Sequence, residues 1–315
     1  MKKISIVVPC FNEIENISAM SASLLHLLHT ALSVYDYEII FIDNGSTDGT
    51  RSVLEEICFN NTKIKAIFNA RNFGWSNSSY YGLCQSSGDC AVMLCADFQE
   101  PPEMIPRFVA EWEKGYLLVA AIKNHSEENS LMYFLRSCYY KLLKQFSSVE
   151  QIEHFTGFGL YDKSFIDTLR HLDDPIPFLR GMVAEFGGKR KDIFYTQHKR
   201  RAGNTHFNFF SMYDLAMLSF TAYTKVGLRI ATLTGFLFSV FTMLAAVFYL
   251  IAKLLYWDMF QAGMAPVVIG MFFLGSVQLF FLGLLGEYVL SINTRVMHRP
   301  LVVEEKRINF GDQVA

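Results

Sequence analysis

No two cysteines in this 315-residue chain are spaced as C-x-x-C. Cys10, Cys58, Cys84, Cys90, Cys95 and Cys138 also lack His or Cys partners at ligand spacing. This argues against a structural zinc site and fits small core residues in a reducing compartment. No G-x-x-x-x-G-K-[ST] occurs, and no G-x-G-x-x-G follows the first apolar run, so neither a P-loop nor a dinucleotide-binding fold is supported. The formal net charge is −2, which leaves the whole chain without a nucleic-acid signature. No secretory signal is expected either. The apolar part of "MKKISIVVPC" covers only residues 4–8 before Pro9, too short for a signal core. The chain shows no internal repeat and no low-complexity linker.

Charge itself is absent from two long stretches, residues 230–252 and 259–286. Each exceeds the ~20 apolar residues that cross a hydrocarbon core. They predict two transmembrane helices within 227–294, joined by a short connector at 253–258. Lys225 and Arg229 precede the first run, and Arg295, Arg299, Lys306 and Arg307 follow the second, whereas the connector holds one lysine and one aspartate. The positive-inside rule then places both termini in the cytoplasm and the connector outside, giving a multi-pass protein of the plasma (inner) membrane. Glu287 is costly facing lipid. Pairing with Arg295 or Arg299 at a subunit interface is the preferred reading, and it predicts a homo-oligomer.

The first half alternates apolar β-rich runs with helical spacing. Strands are expected at 4–8, 37–42, 63–68, 90–94 and 116–121, and helices at 12–32, 50–58, 75–84 and 102–114. Asp48 is placed to cap the second helix. A further strand is expected at 155–161 and a helix at 178–186. Such βαβ alternation predicts an α/β fold, a mostly parallel sheet with helices on both faces. Ligands bind beyond the carboxyl ends of such strands. Four of these ends carry polar sets: Pro9-Cys10-Phe11-Asn12-Glu13, Asp43-Asn44-Gly45-Ser46, Asn69-Ala70-Arg71-Asn72 and Asp97-Phe98-Gln99.

A carboxylate such as Asp97 at a strand mouth suits Mg²⁺ or Mn²⁺, hard ions that share oxygen ligands with phosphates. Gln99 can orient Asp97 or donate to phosphate. Glu103 reads either as a ligand through water or, like Glu100, as a helix-start acid after Pro101 and Pro102. Asp43 and Asn44 suit a nucleobase edge or ribose hydroxyls, or else an Asx turn. Glu13 is a nucleotide ligand or a helix-start acid. Arg71 suits a diphosphate or a surface ion pair. Together these describe a nucleotide-diphosphate site.

In the second half, "GGKRKDIFYTQHKRRAGNTHF" is strongly basic. Lys189 to Lys191 suit anionic headgroups without specificity. Lys199, Arg200 and Arg201 suit a specific lipid phosphate, beside a loop, Gly203-Asn204-Thr205, that offers backbone N–H groups to an anion. Residues 207–223 would then lie in the membrane interface.

These stretches resemble the polyprenyl-phosphate glycosyltransferases, a branch of the family-2 glycosyltransferases with the GT-A fold. "SIVVPCFNE", "FIDNGSTDGT", "NARNFGWSNSSYYGL", "ADFQEPPE", "FLRGMVAEFGG", "RRAGNTHF" and "GLLGEYVLSINTRVMHRP" resemble the family's motifs in order, over nearly the whole chain. The resemblance implies a Rossmann-like catalytic domain at 1–205, juxtamembrane amphipathic helices at 206–226, two membrane helices at 227–294 and a cytosolic tail at 295–315. By the same resemblance Asp97 binds the metal, Asp43 contacts the base, Arg71 faces the diphosphate, and Arg200 and Arg201 hold the lipid phosphate. With the reading of the residues themselves, Asp97, Gln99, Arg71 and Glu185 form the expected catalytic set. Pro9, Phe11, Glu13, Asp43, Asn44 and Arg71 take the nucleotide. Lys199, Arg200, Arg201, Asn204 and Thr205 take the acceptor phosphate. Cys95 stands where many members carry the first acid of D-x-D, so metal binding rests on Asp97. Glu185 and Asp162 are the candidates for a general base.

The implied activity is inverting transfer of a sugar, with UDP-glucose as the expected donor, to undecaprenyl phosphate, and the product serves cell-envelope glycan (O-antigen) modification. Two alternatives stay open: a glycosyltransferase acting directly on a glycan, and an inactive membrane-anchored scaffold that binds sugar nucleotides.

Overall fold

The computed structural model describes residues 1–124, 152, 154–172, 174, 177–186, 188–198, 200–201, 226–255, 264–297 and 299–311. Lys199, Asn204, Thr205, residues 206–225 of the expected juxtamembrane segment and residues 256–258 of the connector lie outside this set.

The first half folds as β1 (Lys3–Cys10), α1 (Ile14–Thr30), β2 (Asp36–Asp43), α2 (Thr50–Asn60), β3 (Ile64–Asn69), α3 (Trp75–Cys84), β4 (Cys90–Met93), α4 (Ile105–Glu113) and β5 (Leu118–Lys123). Then come β6 (Phe155–Asp162), α5 (Lys163–Leu172), α6 (Leu179–Phe186), β7 (Arg190–Tyr195), α7 (Val226–Leu255), α8 (Met264–Val296) and β8 (Glu304–Ile308). The expected helix at 102–114 starts as a 3₁₀ turn, Pro102–Met104: Pro106 has no N–H to give the Pro102 carbonyl an α-type bond, and the Ile105 N–H takes that carbonyl instead.

All eight strands share one sheet in the order β7-β5-β6-β4-β1-β2-β3-β8. The central β4-β1-β2-β3 unit is parallel throughout. β6 runs antiparallel to both β4 and β5, and β8 runs antiparallel to β3. The sheet is therefore mixed, a GT-A-like α/β arrangement rather than a uniformly parallel one.

The core follows from the period of two along each strand. Ile4, Ile6 and Val8 of β1 face one layer with Ile17, Met20 and Leu24 of α1, Leu54 of α2 and Phe108 of α4. Val7 faces the other, with Leu83 of α3, Phe165 and Leu169 of α5 and Met182 of α6. Each such side chain contributes about 1.5–3 kcal/mol of burial free energy, and Phe108 and Phe158 add an edge-to-face contact at 5.1 Å.

At the amino ends of the central strands Glu38 is 1% exposed. It accepts hydrogen bonds from Ser5 Oγ and the Ser87 N–H and pairs with Lys3 at 2.9 Å and Lys65 at 2.7 Å. Burial pushes its carboxyl up. The bonds from Lys65, Ser5, the Ser87 N–H and Lys3 outweigh that and bring it down to about 2.

After the sheet come two long helices, α7 and α8, which meet at Phe238 and Phe273 with ring centroids 6.0 Å apart. Among the described residues one segment, Phe273–Asn293 of α8, is long and apolar enough to cross a membrane, and none of its apolar window is buried inside the structure. Glu287 falls within it. The reading of two spans is thus matched by two helices but by one qualifying segment.

Candidate active site

The sheet order reverses beside β1. From β1 the chain moves outward through β2 and β3, then returns to place β4 on the other side of β1. The crevice beyond the carboxyl ends of β1 and β4 is therefore the topological switch point, where open α/β sheets bind their ligands. The loops leaving both strands hold a non-glycine residue at positive φ, Asn12 at 54° and Phe98 at 61°. Such backbone costs free energy and is kept where the surroundings over-determine it, commonly at functional sites.

Two carboxylates project from these loops. Glu13 is 8% exposed and Asp97 7%. Between them lies the Arg200 guanidinium, which donates to Glu13 Oε1 and stands 3.7 Å from Asp97 Oδ2. The Gln99 N–H donates to Asp97 Oδ1 at 3.1 Å. The basic segment is docked here through its backbone as well. The Arg201 N–H donates to the Asp97 carbonyl, and the His198 N–H to the Gln99 carbonyl, both at 3.3 Å. The Arg201 guanidinium lies over the Phe98 ring at 5.2 Å. Burial raises the Asp97 carboxyl against the pull of the Gln99 N–H and Arg200. It also raises that of Glu13, which Asn16 and Arg200 oppose and Asp97 reinforces. Two desolvated acids on one crevice favour a cation between them.

Under this pair sits Glu100, 5% exposed. Its carboxylate accepts the Cys95 N–H at 2.8 Å and the Thr156 hydroxyl at 2.9 Å, and burial pushes it up to about 7. Sequence reading makes Glu100 a helix-start acid. The structure makes it the tie between the Asp97 loop and β6, and the Pro-Pro pair that follows masks that role in the sequence.

The β2 end is self-contained. Asp43 is fully buried, and its carboxylate accepts the Gly45 and Ser46 N–H groups and Arg51 Nε at 2.9 Å. Asn44 stitches three loops. Its Oδ1 accepts from Asn69 Nδ2 and the Phe73 N–H, and its Nδ2 donates to Asn72 Oδ1. Gly45 has φ of +79°, and a Cβ there would meet the Arg71 backbone at 2.6 Å, so only glycine closes this turn. Ser46 Oγ accepts the Asn12 N–H at 2.8 Å, linking the turn to the Glu13 loop. Asp48 caps two helices, through the Thr50 N–H at 3.0 Å and the Ile14 N–H at 3.1 Å. Arg51, Thr156 and Asp48's second cap were not legible, since each acts across loops distant in sequence.

Other expected residues fall elsewhere. Pro9 is buried at the end of β1 and Phe11 half-buried in its loop. The Arg71 side chain is exposed, lies over Phe73 at 4.2 Å and donates to the Asn72 carbonyl. Glu103 and Glu185 are exposed. Asp162 is a correction. β6 runs antiparallel and pairs Asp162 with Cys90, the first residue of β4, so it lies at the end of the sheet opposite Asp97. There it accepts the Trp112 Nε1–H at 2.7 Å and caps α5 through the Ser164 N–H.

The family model for glycosyl transferase family 2 matches residues 5–170, a span that runs from β1 through α5. The chain belongs to glycosyl transferase family 2. This glycosyltransferase is 29% identical over 305 residues to the SfII prophage-derived bactoprenol glucosyl transferase of Shigella flexneri, covering 96% of this chain and 98% of that protein. It is 29% identical over 313 residues to the putative glycosyltransferase CsbB of Bacillus subtilis, covering 98% and 93%. Among solved structures it is similar to mannosyl-3-phosphoglycerate synthase from Rubrobacter xylanophilus, with 17% identity, a TM-score of 0.49 and coverage of 69% and 71%.

Among the described residues of this family-2 enzyme no group of three or more His, Cys, Asp and Glu side chains is built to hold a metal. The donor chemistry at the switch point nevertheless fits an open site. Mg²⁺ is commonly held by one or two carboxylates, with substrate phosphate and water completing its shell. Asp97 and Glu13 are oxygen donors of that kind, and a guanidinium already stands between them.

Proposed function

We propose that this glycosyltransferase moves a sugar from a nucleotide-sugar, UDP-glucose in the first instance, to a polyprenyl phosphate at the cytosolic face of a membrane. One observation carries the reading: Arg200, from the basic segment, meets Asp97 and Glu13 at the switch point, so an anion held by the first would touch what the second two hold. The names of the bactoprenol glucosyl transferases with which the chain aligns over almost its full length support the same acceptor class. The apolar segment of α8 supports a membrane setting; α7 as a second span and residues 1–205 as the cytosolic domain belong to the proposal and rest on the uncharged runs of the sequence.

The chemistry assigned to each group follows. The diphosphate of the donor lies over the β1 and β4 ends. Asp97, with Gln99 beside it and Glu13 opposite, would hold Mg²⁺ or Mn²⁺, which when bound neutralises charge on the departing diphosphate. The acceptor is a phosphate already ionised near neutral pH, so Arg200 and Arg201 need only orient it. One acceptor oxygen bonds to the anomeric carbon as the bond from that carbon to the diphosphate oxygen breaks on the opposite face, and the configuration inverts. The nucleoside diphosphate leaves with the electron pair, and no strong base is required.

Membranes carrying the protein, given labelled nucleotide-sugars and undecaprenyl phosphate, test this. Label in the organic phase that depends on the added lipid is the expected result. Label in polysaccharide without a lipid intermediate, or binding with no transfer, would overturn it.

A further inference from the structure

The charged tail "EEKRI" carries no apolar run, yet it forms β8 and completes the catalytic sheet on the edge of β3. It is held firmly. The Asn309 side chain donates to the carbonyls of Cys58 and Ile64 at 2.7 Å, Lys306 pairs with Glu55 at 2.9 Å, and the Ala70 N–H donates to the Val303 carbonyl at 2.9 Å. The register places Phe68 opposite Lys306 but Asn69 opposite Glu304, so Glu305 is the extra residue of a bulge. Bulges re-aim side chains. This one sends Glu305 to Arg51, whose Nη1 donates to Glu305 Oε2 at 2.9 Å. Arg51 spends its other donors inward, with Nε on Asp43 Oδ2 at 2.9 Å and Nη2 on the Asn69 carbonyl at 2.7 Å. Asp43 in turn closes the Gly45–Ser46 turn, and Ser46 holds the loop that carries Glu13.

We propose that the C-terminal strand is a working part of the donor site: Glu305 and Arg51 are positioning residues that fix the Asp43 turn in the shape that grips the nucleotide. The assignment rests on the reading of the β1 and β2 ends as a nucleotide site. It gives the tail, which follows α8 in the chain, a part in donor affinity rather than in anchoring alone. Arg51 is the stronger link, because its planar fork serves three acceptors at once and lysine cannot reproduce it. Glu305 is 57% exposed at its side chain, so its share is smaller.

The test is UDP binding by calorimetry on the full-length protein in detergent, with a thermal midpoint for each variant. Glu305→Ala is expected to weaken UDP about threefold, within the range of a half-exposed pair, and Arg51→Lys about tenfold. Turnover at saturating donor should stay within about twofold for Glu305→Ala, so that the change falls on KM. Glu55→Ala breaks the neighbouring tail ion pair, leaves all three acceptors of Arg51 in place and is expected to bind UDP as the wild type does. UDP binding unchanged in Glu305→Ala, or weakened equally in Glu55→Ala, would overturn the proposal while leaving the donor reading intact. A wild-type protein that binds neither UDP nor GDP would overturn both.

Discussion

The two ends of the central sheet hold acids of the same kind in opposite condition. At the amino ends Glu38 is buried among two lysines, a serine hydroxyl and a backbone N–H, and it is ionised down to about pH 2. At the carboxyl ends Glu13, Asp97 and Glu100 are comparably buried, yet all three are raised, Glu100 to about 7. Burial acts alike on both sets, so the difference lies in partners. The first end is complete within the chain. At the second, Asp43 of the β2 end is likewise complete, paired with Arg51. The β1 and β4 ends, however, have among the described residues one guanidinium for the two carboxylates of Glu13 and Asp97, which on the proposed function leaves them to be finished by a ligand. A fully satisfied buried acid points to folding, and an under-compensated pair at a switch point points to chemistry.

The comparison breaks most sharply at Asp97. Asp97→Asn should lower sugar transfer by on the order of a hundredfold or more, the scale of losing a principal electrostatic contact in a transition state, with little change in thermal midpoint. A variant that keeps half the wild-type rate in the lipid-transfer assay would remove Asp97 from the mechanism.

Glu38→Gln should do the reverse. The folded carboxyl lies at about 2 against an ordinary value of 4.5. It therefore contributes stability that is full above pH ~4.5 and is lost as pH falls toward 2, about 3 kcal/mol in all. The variant should melt roughly 5–10 °C lower near neutral pH and lose that deficit on acidification, while turnover per folded molecule is unchanged. A midpoint equal to the wild type at pH 7 would mean that the two ends do not differ as described.

Much of the fold was legible because the central strands are buried on both faces and read as continuous apolar runs. α3 falls at residues 75–84 as expected, and β1, β2 and β4 lie within two residues of their expected bounds. Direction was not legible. An apolar run such as 155–161 looks the same either way round, and that hid the antiparallel β6 and misplaced Asp162. The two outer strands, β7 and β8, were missed for a shared reason. Edge strands carry charge to discourage pairing with other chains, so "RKDIFY" reads as a basic patch and "EEKRI" as a tail. At the site, Asp97, Gln99, Glu13 and Arg200 were legible from polar residues at strand ends and from the basic cluster. Glu100, Arg51 and Thr156 were not, because their roles depend on loops brought together only by the sheet.

The most direct measurement is a pair of Michaelis constants for Arg200→Ala, one for the nucleotide-sugar and one for the polyprenyl phosphate, taken in the same membranes as the wild type. If the donor and the lipid phosphate meet at the switch point through Arg200, the acceptor constant should rise about tenfold or more, and the donor constant should move far less. An unchanged acceptor constant with intact transfer would contradict the account, because the basic segment would then lie beside the site without serving it.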